Sequence, residues 1–98
     1  MAERIDFEII THLGIEQSRY ISDEAFSMLF MEQMPNLVFL SLNENNLMSN
    51  LTLNCIAKNC VNLEELDISD NDSIGNEGLV VLLKNLKKLR HLDLECCP

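Results

Sequence analysis

One nine-residue phrase occurs three times and constrains everything else the chain can do. It reads Leu37-Val-Phe-Leu40-Ser-Leu42-Asn-Glu-Asn45, then Leu63-Glu-Glu-Leu66-Asp-Ile68-Ser-Asp-Asn71, then Leu89-Arg-His-Leu92-Asp-Leu94-Glu-Cys-Cys97, at an interval of 26 residues. Apolar side chains hold the first, fourth and sixth places, and Asn or Cys holds the ninth. A fixed period of this size belongs to a stack of supersecondary units, each burying its apolar side against the next.

Within the phrase the apolar pairs Leu40/Leu42, Leu66/Ile68 and Leu92/Leu94 are two residues apart. Strand side chains alternate in direction, so each pair points to one face, inward. The alternate positions point outward: Phe39, Ser41 and Asn43 in one unit, Glu65, Asp67 and Ser69 in the next, His91, Asp93 and Glu95 in the third. The ninth-place Asn sits where the chain leaves the strand, and its amide can bond backbone groups that no ladder satisfies. Cys97 would do this only weakly. A fourth, weaker copy runs Ile10-Thr-His-Leu13-Gly-Ile15-Glu-Gln-Ser18, with Ser at the ninth place.

Between phrases the apolar period lengthens from two towards 3.6. Phe26, Leu29, Phe30 and Met34 fall on one helical face after the candidate N-caps Ser22 and Asp23, and Pro35-Asn36 is the expected stop. Ser49-Asn50 open a second helix with Leu53, Ile56, Ala57 and Cys60 inward. Gly75-Asn76 open a third with Leu79, Leu82, Leu83 and Leu86 inward. Strand, turn, helix and return to a parallel strand is a crossover unit, and such crossovers are right-handed. The expected fold is therefore α/β, with parallel strands on one face and helices on the other.

The pattern LxxLxLxxN/C, held by these residues, resembles the leucine-rich repeat. The segments Ile74-Gly-Asn-Glu-Gly-Leu79 and Ile56-Ala-Lys-Asn-Cys60-Val-Asn-Leu63-Glu-Glu-Leu66 are similar to its cysteine-containing subclass, found in F-box and Zyg-type substrate receptors of ubiquitin ligases. The likeness covers about residues 9 to 97. It implies a right-handed solenoid with strands on the concave and helices on the convex face. One domain, 1–98, would divide into repeats at about 9–36, 37–62 and 63–88, a truncated repeat at 89–98, and a remnant of a preceding unit or cap at 1–8.

Charge narrows the partner. Sixteen acidic residues against seven basic ones give a net charge of −9, which excludes a phosphate-backbone binder built on clustered Lys and Arg. No run approaches the ~18 apolar residues of a membrane span. The charged start Met1-Ala-Glu-Arg-Ile-Asp-Phe-Glu8 has no apolar signal core, so an intracellular chain, cytoplasmic or nuclear, is expected. Cys55, Cys60, Cys96 and Cys97 can be paired in two ways that avoid an adjacent bond. In a reducing compartment free thiols are expected. Cys60 falls on the apolar helix face, and Cys97 is the expected reactive thiol.

The outward strand positions form three columns: His12, Phe39, Glu65, His91; Gly14, Ser41, Asp67, Asp93; Glu16, Asn43, Ser69, Glu95. Phe39, Ser41, Asn43, Glu65, Asp67, Ser69, His91, Asp93 and Glu95 are the candidate partner-binding residues. The acids attract a Lys/Arg-bearing protein, and Phe39 offers an apolar anchor. Glu65, Asp67, His91 and Asp93 do not make a metal site, since an open surface supplies no second shell. Asp70-Asn-Asp72-Ser-Ile74-Gly75 fails as a calcium loop because Ile74 stands where an oxygen ligand is needed. No catalytic constellation, metal or cofactor is expected.

The expected function is non-catalytic protein binding on the acidic strand face, and the resemblance implies substrate recognition for a cullin-type ubiquitin ligase, with ligase components reached through a longer relative. The alternative is a truncated structural fragment of a longer leucine-rich-repeat protein with no independent partner.

Overall fold

In the computed structural model, residues 7–95 are described. A single 3₁₀ turn at Phe7–Ile9 leads into strand β1 (His12–Gly14), helix α1 (Asp23–Leu29), β2 (Phe39–Ser41), α2 (Asn50–Asn59), β3 (Glu65–Asp67), α3 (Asn76–Asn85) and β4 (His91–Asp93). The strands make one four-stranded sheet in chain order β1-β2-β3-β4, every pair parallel. Helices connect successive strands, as parallel pairing requires.

Leu40 and Leu42 of the phrase that starts at Leu37, and Leu66 and Ile68 of the one that starts at Leu63, are almost wholly removed from solvent. They meet Phe26 from α1, Leu53, Ile56 and Ala57 from α2, and Leu82 from α3 in one continuous core. Leu13 and Ile15 at one end, and Leu92 and Leu94 at the other, are half-buried and pack against that core from its two ends. Burial therefore deepens in the middle units, where neighbours stand on both sides.

The ninth-place asparagines knit the stack together. The Asn45 Nδ2 donates to the Leu42 carbonyl at 2.7 Å and to the Ile15 carbonyl of the preceding unit at 2.8 Å. Asn71 repeats this towards Ile68 at 2.9 Å and Leu42 at 3.0 Å. In return the Asn71 Oδ1 accepts the Asn45 backbone N–H at 2.9 Å, and the Asn45 Oδ1 accepts that of Ser18 at 3.1 Å. Each buried amide thus satisfies backbone groups of two units at once. Ser18, the ninth residue of the weaker copy, instead turns its hydroxyl to the Ile21 N–H at 3.1 Å. Cys97 lies outside the described residues.

Two helical expectations are corrected. The first helix ends at Leu29 with Phe30 as its C-cap, well before Pro35. The next turns are tightened, with Met31 and Glu32 donating back only three residues, each at 3.4 Å, and Pro35 keeps Met34 out of helical geometry. Phe30 and Met34 are buried all the same, and the Met34 N–H is taken up by the Asn59 carbonyl at 3.0 Å. In α3, Leu83 was expected inward but is 57% exposed. Its counterparts by offset, Phe30 and Ala57, are covered, and among the described residues no helix packs beyond α3.

Candidate functional site

The strand register places the outward residues in the columns expected from the spacing. His12 pairs with Phe39, Phe39 with Glu65 and Glu65 with His91; Gly14, Ser41, Asp67 and Asp93 follow in the adjacent column. Backbone bonds from Gln17 to Asn43, Glu44 to Ser69 and Asp70 to Glu95, at 2.9 to 3.0 Å, extend the register past the strand ends.

Not all nine candidates are available as contacts. Glu65, His91 and Glu95 are exposed, and Phe39, Asn43, Asp67 and Asp93 are half-buried. Ser41 and Ser69 are only 4% and 6% exposed, which corrects the expectation that they offer a contact surface. Neighbouring carboxylates engage both hydroxyls: Ser41 Oγ donates to Glu16 Oε1 at 2.8 Å, and Ser69 Oγ to Asp67 Oδ1 at 2.7 Å. Alternation fixes the direction of a side chain but not what lies over it. Asn43 keeps its Oδ1 buried without a hydrogen-bond partner among the described residues.

The acids are held in place by their own turns. Asp67 Oδ1 accepts the Ser69 N–H at 2.9 Å, and Asp93 Oδ1 accepts the Glu95 N–H at 3.0 Å. The other oxygen of each carboxylate remains for an outside donor. Beside them the rings of His12 and Phe39 stack with centroids 5.8 Å apart and planes inclined by 23°. A hollow of about 290 Å³ lies on the far side of Phe39 from β1, lined by Phe39, Glu65, Leu66, Asp67, His91 and Asp93. It brings one aromatic ring together with three carboxylates, and no Lys or Arg stands at any position of the three columns.

A second hollow, of about 510 Å³, was not foreseen. It lies where the chain leaves the strands and is lined by Gln17, Glu44 and Asp70 from the eighth places and Arg19, Asn46 and Asp72 from the tenth. The eighth-place residues share left-handed backbone, with φ of 57°, 56° and 58°. This rim is polar throughout, whereas the strand-face hollow adds the apolar anchor that concentrates binding energy.

Among the described residues no group of three or more His, Cys, Asp or Glu is arranged to hold a metal ion. Asp70 and Asp72 line the rim while Ile74 is buried in the core, so the calcium-like run is a turn. Cys55 and Cys60 are free thiols. Burial pushes the Cys60 thiol up to about 12, which suits a core side chain and not a nucleophile. Cys96 also lies outside the described residues. No helix among the described residues is long and apolar enough to cross a membrane.

A family model described as Leucine Rich repeat matches residues 59–83, from the end of α2 through β3 into α3. The match supports a leucine-rich repeat protein. The four parallel strands and three intervening helices are compatible with that family. Leucine-rich repeats generally mediate protein–protein contacts and are generally non-catalytic. No curated protein and no solved structure matches the chain.

Proposed function

We propose that this chain is a protein-interaction module that engages a partner with a basic surface through the face of its sheet. The contact set is Phe39, Asn43, Glu65, Asp67, His91, Asp93 and Glu95, with Ser69 holding Asp67 and Ser41 holding Glu16 at the edge of the face. One observation carries the reading: the register sets Phe39 beside Glu65 and brings Asp67 alongside Asp93, around a hollow of about 290 Å³. Like charges on neighbouring strands oppose pairing, and a basic partner relieves that repulsion.

In this reading the units at 9–36, 37–62 and 63–88 form one right-handed solenoid with the strands on its concave side, as right-handed crossovers favour. The partner is a protein, not nucleic acid or membrane, and the setting is intracellular. Substrate recognition for a cullin-type ubiquitin ligase is the narrower form, supported by the cysteine-containing repeat pattern of residues 56–66 and 74–79.

The test is a displayed random-peptide library selected on the purified chain and on an Asp67→Asn/Asp93→Asn variant. Enrichment of Lys- and Arg-bearing sequences that the variant loses supports the reading. Undiminished enrichment on the variant would remove the acidic face from consideration.

A further inference from the structure

We infer that the strand-face hollow is an arginine subsite, which takes one guanidinium group from the partner against Phe39 and between the carboxylates of Asp67 and Asp93. The inference rests on the acidic-face reading above and names the chemical group that the face selects.

Four features support the subsite, and the first and third favour arginine over lysine. First, the floor is not wholly polar: the Phe39 ring is part of it. A guanidinium is planar, weakly hydrated and stacks on aromatic rings, whereas an ammonium is a strongly hydrated point charge that resists leaving water for such a floor. Second, Phe39 is held from behind. His12 on β1 stacks on the ring at 5.8 Å, while the hollow is lined from β2, β3 and β4, so the ring stands as a wall between them. Third, the acids come from more than one strand. Asp67 and Asp93 are paired positions of β3 and β4, and Glu65 is the partner of Phe39 on the next strand. Separate carboxylates on one rim suit the fork of five N–H donors that arginine carries, and lysine offers no such fork. Fourth, each aspartate spends its Oδ1 on a backbone N–H two residues later, leaving its Oδ2 for the incoming donor. The hollow, about 290 Å³, is at the small end of the ~300 to 1,000 Å³ of ligand pockets. It has room for one side chain, and a folded basic domain reaches it through a protruding residue.

The experiment compares acetylated hexa-arginine with acetylated hexalysine, equal in length and charge, binding to the full chain at one ionic strength, by fluorescence anisotropy and amide chemical-shift mapping. Hexa-arginine is expected to bind about two- to fivefold tighter, the range a partly exposed cation–π contact supports, with the largest shifts at Phe39, Asp67 and Asp93. Phe39→Leu, which keeps apolar bulk but removes the ring, should abolish the preference while both peptides still bind. Phe39→Tyr should keep it. Equal affinity of the two peptides for the wild-type chain overturns the arginine subsite, as does a preference undiminished in Phe39→Leu. Should Phe39→Leu fail to fold, the wild-type shift map decides, and shifts that avoid Phe39, Asp67 and Asp93 overturn it. If both peptides bind equally and Asp67→Asn/Asp93→Asn loses both, only the arginine inference falls. If neither binds, the acidic-face reading falls with it.

Discussion

Asp23, the first residue of α1, caps the helix that follows its own: its Oδ1 accepts the Ser49 N–H at 2.9 Å and the Thr52 N–H at 3.3 Å. The Thr52 hydroxyl adds a third bond at 2.6 Å, and the Ser49 hydroxyl binds the other oxygen. Ser49 holds the N-cap backbone position of α2 but makes no side-chain cap of its own. One carboxylate therefore serves the orphan N–H groups of a neighbouring helix, where the helix dipole also favours negative charge. Asn50 does the same one unit on, with its Oδ1 accepting the Gly75 N–H at 2.9 Å.

Replacing Asp23 with Ala should lower stability by about 1 kcal/mol, the usual worth of an N-cap. Burial alone would push this carboxyl up, but the bonds from Ser49 and Thr52 outweigh it and hold the group below its ordinary 3.8. A carboxylate depressed in the folded state stabilises fully above the unfolded value and loses that contribution as pH falls through the folded one. The gap between wild type and Asp23→Ala, measured by urea unfolding, should thus be complete at neutral pH and shrink below about pH 4. A gap that is constant with pH would show that the charge is not what Asp23 contributes.

Asn71 has both ends of its amide engaged inside the stack, with three donor contacts of 2.9 to 3.0 Å and one acceptor contact at 2.9 Å. Removing it leaves the buried Asn45 N–H without its acceptor and takes one donor each from the Leu42 carbonyl, which keeps Asn45 Nδ2, and the Ser69 carbonyl, which keeps the Glu44 N–H. An unsatisfied buried N–H costs about 1 to 3 kcal/mol, and the weakened carbonyls add to it, so Asn71→Ala should cost more than Asp23→Ala. Asn71→Asp should be nearly as harmful, since a carboxylate cannot donate. Thermal melts followed by circular dichroism check both, and a stable Asn71→Ala chain would mean that the ladder adds little.

The ninth-place asparagines were legible because a polar residue at a fixed place after an apolar pair has few other uses. The columns of the strand face were legible for the same reason, since period-two alternation and one repeat length determine register. The cross-unit caps were not: Ser49 looks like an ordinary N-cap, and nothing local to Asp23 points to a helix in the next unit. The left-handed eighth places were also hidden, because Gln17, Glu44 and Asp70 carry none of the Gly or Asn that usually signals positive φ. In the first helix, Phe30 and Met34 keep helical spacing and burial after the helix has ended, so periodicity overstates its length. Of the candidate site, the place of the acids and Phe39 in the columns could be read in advance, while the burial of Ser41 and Ser69 could not, because alternation does not say what covers a side chain.

Gly78 of α3 packs tightly against α2. A Cβ there would stand 2.4 Å from Asn50 Oδ1 and 2.8 Å from Leu53 Cδ1. In an exposed helix Gly→Ala gains roughly 0.5 to 1 kcal/mol. Here the methyl collides with the side chain that caps the start of α3 through Gly75, so Gly78→Ala should destabilise by about 1 to 3 kcal/mol, the cost of overpacking. Gly78→Ala in an Asn50→Ala background should recover part of that loss, because the nearest obstruction is gone. Urea unfolding of both variants tests the coupling, and a stabilised Gly78→Ala single variant would contradict the helix packing described.

Cys60 closes α2 by donating its backbone N–H to the Ile56 carbonyl at 2.9 Å, and its side chain is wholly buried. Burial that raises its thiol from 9.0 to about 12 keeps it neutral in the folded chain, whereas Cys55 nearby is half-buried. In a Cys96→Ser/Cys97→Ser background, iodoacetamide at neutral pH should label Cys55 first and Cys60 only on the timescale of unfolding. The linkage has a definite sign. A thiol with a raised folded-state pKa stabilises fully below the unfolded value and loses that stabilisation as pH rises through the folded one. The chain should therefore weaken progressively from about pH 9 upward, and Cys60→Ala should weaken less over the same range despite its lower stability at neutral pH. Mass-spectrometric labelling rates and alkaline melts check the two halves separately; rapid labelling of Cys60 in the folded chain would remove it from the core.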